Sequence, residues 1–347
     1  MSTFARFLLI LLLVGFSACS RSPAELNLVG PTMGTTYTVK IASPPAHIQA
    51  HEVRAVIDRE LARIDESMSG YRPDSEISRF NASRSTGWFE VSADLAFVVQ
   101  AALDVSEASD GAFDVTVTPL VQAWGFGAAN TAPADLPNEA TLRRLLEQTG
   151  YRKLHARQRP AALRKDQPEL TIDLNGIAPG FAVDRIAAGF AALGLQSYMI
   201  DIGGEIRVRG RNAAGEKWRI AIEEPLDAED RTPFAILELD ELAVATSGEY
   251  RHYYARDGKR YSHTIDPRSG RPIEHDLASV TVVHRETMYA DAWGTAFNVL
   301  GVEAGYGLAE TLGMSVMFVV NADGQLRTKS TPAIQPLIAS TRERRGK

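Results

Sequence analysis

Asp291 and Thr295 stand four residues apart in Ala290–Leu300, a stretch that reads as helix, so the two share one helical face. A carboxylate and a hydroxyl one turn apart are hard oxygen donors. Mg2+ takes such donors together with phosphate and water. The same pair also fits an acid near a helix N-terminus, held by the dipole, beside an unrelated threonine. A second stretch, Asp173–Asp184, runs from a short apolar segment through Asn175-Gly176-Ile177-Ala178-Pro179-Gly180 into a helix. A glycine-bearing loop that feeds a helix N-terminus offers free backbone N–H groups, which suits phosphate, and Pro179 fits the first turn, where a missing N–H costs nothing. A third, Gly111–Gly127, interleaves glycines and aromatics around Asp114, with Thr116 and Thr118 strand-like. It could line a flat aromatic ligand, or Phe113, Trp124 and Phe126 could be core.

His263 and Asp266 complete the set. They lie near the end of a hairpin signal, two β-favouring runs, Tyr250–Ala255 and Lys259–Ile265, around Asp257-Gly258. An Asp-Gly pair supplies the positive φ values of a type I′ turn. That register sets Arg256 opposite Lys259, Tyr254 opposite Tyr261, His252 opposite His263 and Tyr250 opposite Ile265. Asp266-Pro267 ends the second strand, because proline cannot continue the ladder. The facing histidines raise zinc, but no H-E-x-x-H or Cys-His cluster accompanies them. No G-x-S-x-G elbow points to a hydrolase triad. The same residues would equally make a half-exposed aromatic hairpin.

The elements that must position these groups follow from periodicity. Residues 51–68 carry Val53, Val56, Ile57, Leu61, Ile64 and Met68 on one helical stripe. Asp94–Ser109, Asn138–Thr149, Phe181–Leu193 and Ala304–Leu312 also read as helices, several behind a Ser, Asp or Asn cap or before a glycine stop. Strands are expected over Thr35–Ile41, Leu170–Leu174, Tyr198–Ile202, Phe234–Leu239, Ser279–His284 and Ser315–Val320, with Glu205–Gly210 paired to Lys217–Ile222. Strands and helices mix with several hairpins, and no G-x-G-x-x-G opens a helix. The expected class is α+β (mixed α/β), one catalytic domain over 31–338, not a Rossmann array.

Composition narrows the classes. The 347 residues are 45% hydrophobic and 23% charged, with net charge −6, so no basic field exists to hold nucleic acid. Residues 1–18 have a positive n-region at Arg6 and a ten-residue apolar run, Phe7–Phe16, too short to span a bilayer and flanked like a secretory signal. Their removal takes one positive charge and leaves −7. Cys19, the chain's one cysteine, follows Ser17-Ala18, so an exported chain must hold its fold without a disulfide. Residues 19–30 read as a tether and 339–347 as a basic tail.

Taken together, the segments resemble the ApbE family of FAD:protein FMN transferases. The resemblance runs from Met33 to Val320 in family order: Met33-Gly34-Thr35; Met68-Ser69 with Tyr71; Asp74-Ser75-Glu76-Ile77-Ser78 with Asn81; Gly111–Thr116; Trp124–Gly127; Asp173–Ala178; Asp201–Glu205; Thr246-Ser247-Gly248; His263 through Gly270; and Ala290-Asp291-Ala292 with Thr295-Ala296. Ser17-Ala18-Cys19 is similar to a lipoprotein processing site, with Phe16 where leucine is usual.

The resemblance implies Mg2+-dependent transfer of FMN from FAD to a Thr or Ser hydroxyl of a target protein, with release of AMP. It implies metal ligation by Asp291, Thr295 and the Ala178 carbonyl. It places the flavin and adenine against Met33, Tyr71, Ala112, Phe113 and Asp114, with Asn175, Phe181 and Ile265 closing the site. A base must take the acceptor proton, with His263 the first candidate and Asp266 the second. Pro179 stands where the family often has lysine. The implied setting is a chain lipidated at Cys19 on the periplasmic side of a bacterial membrane, acting on an exported flavoprotein subunit. An FAD pyrophosphatase and a non-catalytic flavin-binding lipoprotein are the other readings.

Overall fold

A computed structural model describes residues 25–127, 133, 135–225, 232–248, 253–322 and 324–339. Cys19, Tyr250 and His252 lie outside them, as do half of the tether and most of the tail. The stripe of α1 (Ala50–Met68) is buried as expected through Val53, Val56, Ile57, Ile64 and Met68. After β1 (Glu25–Thr32) and β2 (Thr35–Ala42), α1 leads to α2 (Glu76–Ala82), β3 (Phe89–Glu90), α3 (Ala93–Ala108), α4 (Thr118–Ala123) and α5 (Glu139–Gln148). Caps set these boundaries. Ser92 Oγ accepts from the Leu95 amide at α3, and Asn138 Oδ1 accepts from the Thr141 amide at α5. The middle of the chain gives β4 (Leu154–Gln158), β5 (Ala161–Lys165), α6 (Ala178–Ala192), β6 (Tyr198–Ile202), β7 (Glu205–Arg209), β8 (Trp218–Glu223), β9 (Pro233–Leu239) and β10 (Ala243–Gly248). The rest is β11 (Tyr253–Arg256), β12 (Lys259–Ser262), β13 (Ile265–Asp266), β14 (Arg271–Pro272), β15 (Leu277–His284), α7 (Thr287–Thr311), β16 (Ser315–Ala322) and β17 (Gln325–Ser330).

The architecture is α+β. Its centre is an eight-stranded sheet in the order β1-β2-β6-β7-β10-β15-β16-β17, antiparallel at every step. A Rossmann sheet would be parallel. Helices α1, α3, α6 and α7 share the largest apolar cluster with one face of the sheet, through residues such as Val39, Ile200, Val282, Phe297 and Phe318. The β8–β9 hairpin and residues 332–337 cover the other face, with Trp218, Ile220 and Leu237 packed on Val208, Val244 and Val319. A third, smaller cluster joins α4, α5 and the β11–β12 hairpin through Leu120, Trp124, Phe126 and Ile265. No helix among the described residues is long and apolar enough to cross a membrane.

Several expectations are corrected. The tether is shorter than 19–30, because Glu25–Thr32 is an edge strand of the main sheet. Residues 170–174 are irregular rather than a strand; Asn81 takes the partner's place, its amide bonding both the N–H and the carbonyl of Ile172. Strand β7 pairs with β6 and β10, and β8 pairs with β9, not with β7. Thr116 lies in a turn and Thr118 opens α4, so neither is in a strand.

The two expected helices near the C-terminus are one run, α7, broken at Gly301, where φ is 72°. His275 Nε2 lies 2.8 Å from the Asn298 carbonyl, beside that break. A Cβ at position 301 would come within 3.1 Å of the His275 ring.

Candidate active site

The hairpin has the expected turn: Asp257 and Gly258 have φ of 51° and 74°, and Tyr254 pairs with Tyr261 and Arg256 with Lys259. Its second strand stops at Ser262, however. His263 sits in a bend, and Ile265 pairs with Pro272 across a separate turn. The bend is held locally, since the Thr264 amide donates to Ser262 Oγ and the Ile273 amide to the Thr264 carbonyl. Asn298 Nδ2 donates to Thr264 Oγ1 at 3.3 Å, which brings this bend to α7, one turn beyond Thr295. The His263 ring stands edge-on to Phe126, with centroids 6.4 Å apart.

Helix α7 carries the oxygen donors. Asp291 is 6% exposed, and its Oδ2 accepts from the Gly180 amide at 3.2 Å, in the first turn of α6. Gly180 is glycine for space. A Cβ there would fall 2.6 Å from both Met288 Cα and the Thr287 carbonyl. One turn further along α7, Thr295 lies under the loop before α6. A Cβ on Gly176 would meet Thr295 Oγ1 at 3.1 Å and the Phe113 ring at 3.2 Å. The loop, Phe113, Asp291 and Thr295 therefore form one surface, with Ala178 between the two contacts. Replacing Gly180 with alanine is expected to push the helices apart and cost about 1–3 kcal/mol by overpacking, or more because backbone is what blocks the methyl. Chemical denaturation would read this as a lower midpoint at unchanged slope.

Burial pushes the Asp291 carboxyl up from 3.8 to about 7, with the Gly180 amide opposing. Glu205, at the start of β7, is raised well above the usual carboxylate range by burial, then by the Asp291 and Asp201 charges. Among the described residues no lysine or arginine forms an ion pair with either acid. A buried acid whose charge raises a second buried acid, neither with a basic partner, suits a hard cation. Asp291, the Thr295 hydroxyl and the Ala178 carbonyl fit Mg2+ in kind. No cluster of three or more His, Cys, Asp or Glu able to hold a metal forms among the described residues. A one-carboxylate site needs none.

These shifts have a sign. Burial favours the protonated Asp291 of the metal-free protein, so that contribution to stability is full below about pH 4 and lost as pH rises through about 7. Thermal melts without metal are expected to fall across that window, and the rise in Tm given by Mg2+ to grow across it. A Tm gain from Mg2+ equal at pH 5 and pH 8 would contradict this.

The sequence does not single out Glu205, which ends the block Asp201–Glu205. Its signal is the Gly203-Gly204 turn, which leaves a carboxylate where β6 returns as β7. The same turn meets the β1–β2 connection, since a Cβ on Gly203 would touch Thr35 at 3.0 Å. Met33 is in that connection, 40% exposed, with φ of 47°. Tyr71 is 68% exposed after α1, and Phe181 is buried against Phe97, with centroids 6.1 Å apart. Ala112 and Phe113 are buried; Asn175 is exposed, its side chain on Asp173 Oδ2.

Two carboxylates are committed elsewhere. Asp114 accepts from the Thr116 amide and hydroxyl and from the Tyr151 amide, so it ties its loop to the residues after α5. Asp266 accepts from the Arg268 amide and takes its guanidinium on both oxygens, at 2.9 and 3.0 Å, which leaves His263 the better base. Clefts of about 400 and 410 Å³ open beside Asp266 and beside Tyr253; neither is lined by Asp291, Thr295 or Ala178.

The chain is similar to known proteins along nearly its whole length. The ApbE family profile matches residues 33–318. A Vibrio cholerae protein named FAD:protein FMN transferase is 40% identical over 330 residues, 95% of this chain and 97% of that one. The solved structure of a flavin transferase ApbE from Vibrio cholerae superposes with a TM-score of 0.83, covering 91% of this chain and 99% of that one, at 40% identity. That of a Pseudomonas stutzeri flavinyl transferase in its apo form gives 0.82, covering 91% and 97%, also at 40% identity.

Proposed function

The chain belongs to the ApbE family, and from that membership we propose that it is a transferase moving the FMN part of FAD onto a Thr or Ser hydroxyl of a target protein, with AMP as the second product. The observation that carries the reading is the α6–α7 surface. There Asp291 is buried against the Gly180 amide and Thr295 lies under Gly176, with no basic partner for the acid among the described residues. Asp291, Thr295 and the Ala178 carbonyl would hold Mg2+, which when bound supplies charge neutralisation to the pyrophosphate and the leaving phosphate.

The chain's own residues do the rest. The free backbone N–H groups expected at the start of α6 are already used, since the Ala178 amide donates to the Leu174 carbonyl, Pro179 has none and the Gly180 amide donates to Asp291; what α6 offers anionic oxygens is the positive end of its dipole. It needs no side chain at Pro179 for that. Neutral His263 takes the proton of the acceptor hydroxyl. The hydroxyl oxygen bonds to the FMN-side phosphorus, the P–O bond to the AMP phosphate breaks, and AMP leaves. Phe126 meets the imidazole edge-on, and Tyr254 and Tyr261 extend that aromatic wall.

The setting is part of the proposal. Residues 1–18 direct export, Cys19 carries the lipid, and the acceptor is a flavoprotein subunit on the periplasmic side of the membrane. A Cys19→Ser chain should leave the membrane fraction.

The test uses the chain lacking residues 1–19 with FAD, Mg2+ and an acceptor domain, following AMP and the acceptor's mass. AMP together with an acceptor heavier by one FMN, both lost in EDTA, is the expected result. AMP with an unmodified acceptor would replace transfer by hydrolysis of FAD. Bound FAD without AMP would leave only flavin binding.

A further inference from the structure

Helices α6 and α7 meet in antiparallel register, and the contacts recur every turn. Gly176, in the loop that enters α6, lies against Thr295; Gly180 lies against Asp291; and Asp184 lies against Thr287. Each step is four residues forward on the α6 side and four back on α7, about 6 Å per rung. The first two rungs make the surface described above. The third lies one turn beyond them.

Asp184 is the strongest contact of the three. Its Oδ1 accepts from the Thr287 amide at 3.0 Å and the Thr287 hydroxyl at 2.8 Å, and its Oδ2 accepts from the Met288 amide at 3.0 Å. Arg207 of β7 forms an ion pair with the same carboxylate. Helix α7 needs this acid, because its own N-cap residue, Glu286, makes no side-chain cap. The first N–H groups of a helix have no partner within it. Those of α7 are closed by an acid of α6, just as the Gly180 amide in the first turn of α6 is closed by Asp291 of α7. Each helix start is thus capped by a carboxylate of the other.

We propose that Asp184 is a positioning residue of the flavin-transfer site: by clamping the start of α7 onto α6, it sets the distance between Asp291 and Thr295 on one helix and the Ala178 carbonyl on the other. The inference rests on the function proposed above. The clamp acts one turn from Asp291, and Gly180 leaves no slack at the crossing, so a slip at Asp184 is passed to the donors. Arg207 pairs with the acid, whose side chain is only 14% exposed.

Asp184→Asn keeps the shape and one acceptor but loses the charge and the Arg207 pair. Full-length protein in detergent, without FAD, would be titrated with Mn2+ and the free ion followed by electron paramagnetic resonance. Residues that orient metal ligands are worth about 10–100-fold in affinity, and a loss of that size is expected for Asp184→Asn. Thr287→Val, which keeps both amides, should stay within about threefold of wild type, on the same reasoning. In turnover assays the half-saturating Mg2+ should rise while KM for FAD at saturating Mg2+ does not. A purely structural acid would lower Tm and leave the Mn2+ constant unchanged in the folded range; that outcome would overturn the inference alone. Wild-type protein that takes up no Mn2+ would overturn the proposed reaction and this inference together.

Discussion

Asp291→Asn is expected to lower flavin transfer at saturating Mg2+ by at least about a thousandfold while the protein stays folded. The magnitude follows from charge: a metal that stabilises a transferring phosphoryl group contributes several kcal/mol, and each 1.4 kcal/mol is tenfold. The amide still accepts from Gly180, so the crossing of α6 and α7 survives. It also removes an acid that burial already disfavours, so the metal-free Tm should hold or rise above pH 7. AMP release, acceptor mass and a thermal melt on one sample decide the matter. Turnover like wild type with excess Mg2+ would exclude Asp291 from the site.

His263→Ala should lower acceptor modification by about 10²–10⁴-fold, the range of a general base. FAD binding and Tm should change little, because the ring touches the aromatic wall at its edge and is not in the core. The pH profile discriminates. Loss of a base flattens the acidic limb of kcat, whereas loss of a packing residue scales the whole profile down. An unchanged rate would move the base elsewhere. Asp266 is a poor second choice, since both its oxygens hold Arg268.

The helices were legible in the sequence because their stripes and caps are local. Residues 51–68 show the apolar period, and Ser92 and Asn138 sit where their hydroxyl and amide are used. Strands made of charge were not. Residues 154–158, 161–165 and 325–330 read LHARQ, AALRK and QLRTKS; the first and last are edge strands, where charge discourages further pairing, and the middle one is central in a small three-stranded sheet, its Lys165 buried on the Phe80 and Leu170 carbonyls. Adjacency also misled: β7 and β8 are neighbours in sequence but belong to different layers. At the site, the spacing of Asp291 and Thr295 could be read from the chain, and so could the loop at Gly176. The commitments of Asp114 and Asp266, the approach of Glu205 and the rung at Asp184 could not. Each depends on contacts between segments far apart in sequence.

The division of the apolar residues into clusters has a dynamic consequence. Asp291 and Thr295 are carried on a helix rooted in the largest cluster, whereas the aromatic wall beside His263 belongs to the small one built on Leu120, Trp124 and Phe126. Opening free energy follows the apolar contacts that must be broken, so the hairpin side breathes more cheaply than the helix side. Amide hydrogens of residues 253–262 should therefore exchange faster than those of residues 290–299, and equal protection would mean the two clusters open as one. On the proposed reaction, the half that would handle the proton is then also the half that yields more easily to a bulky polypeptide.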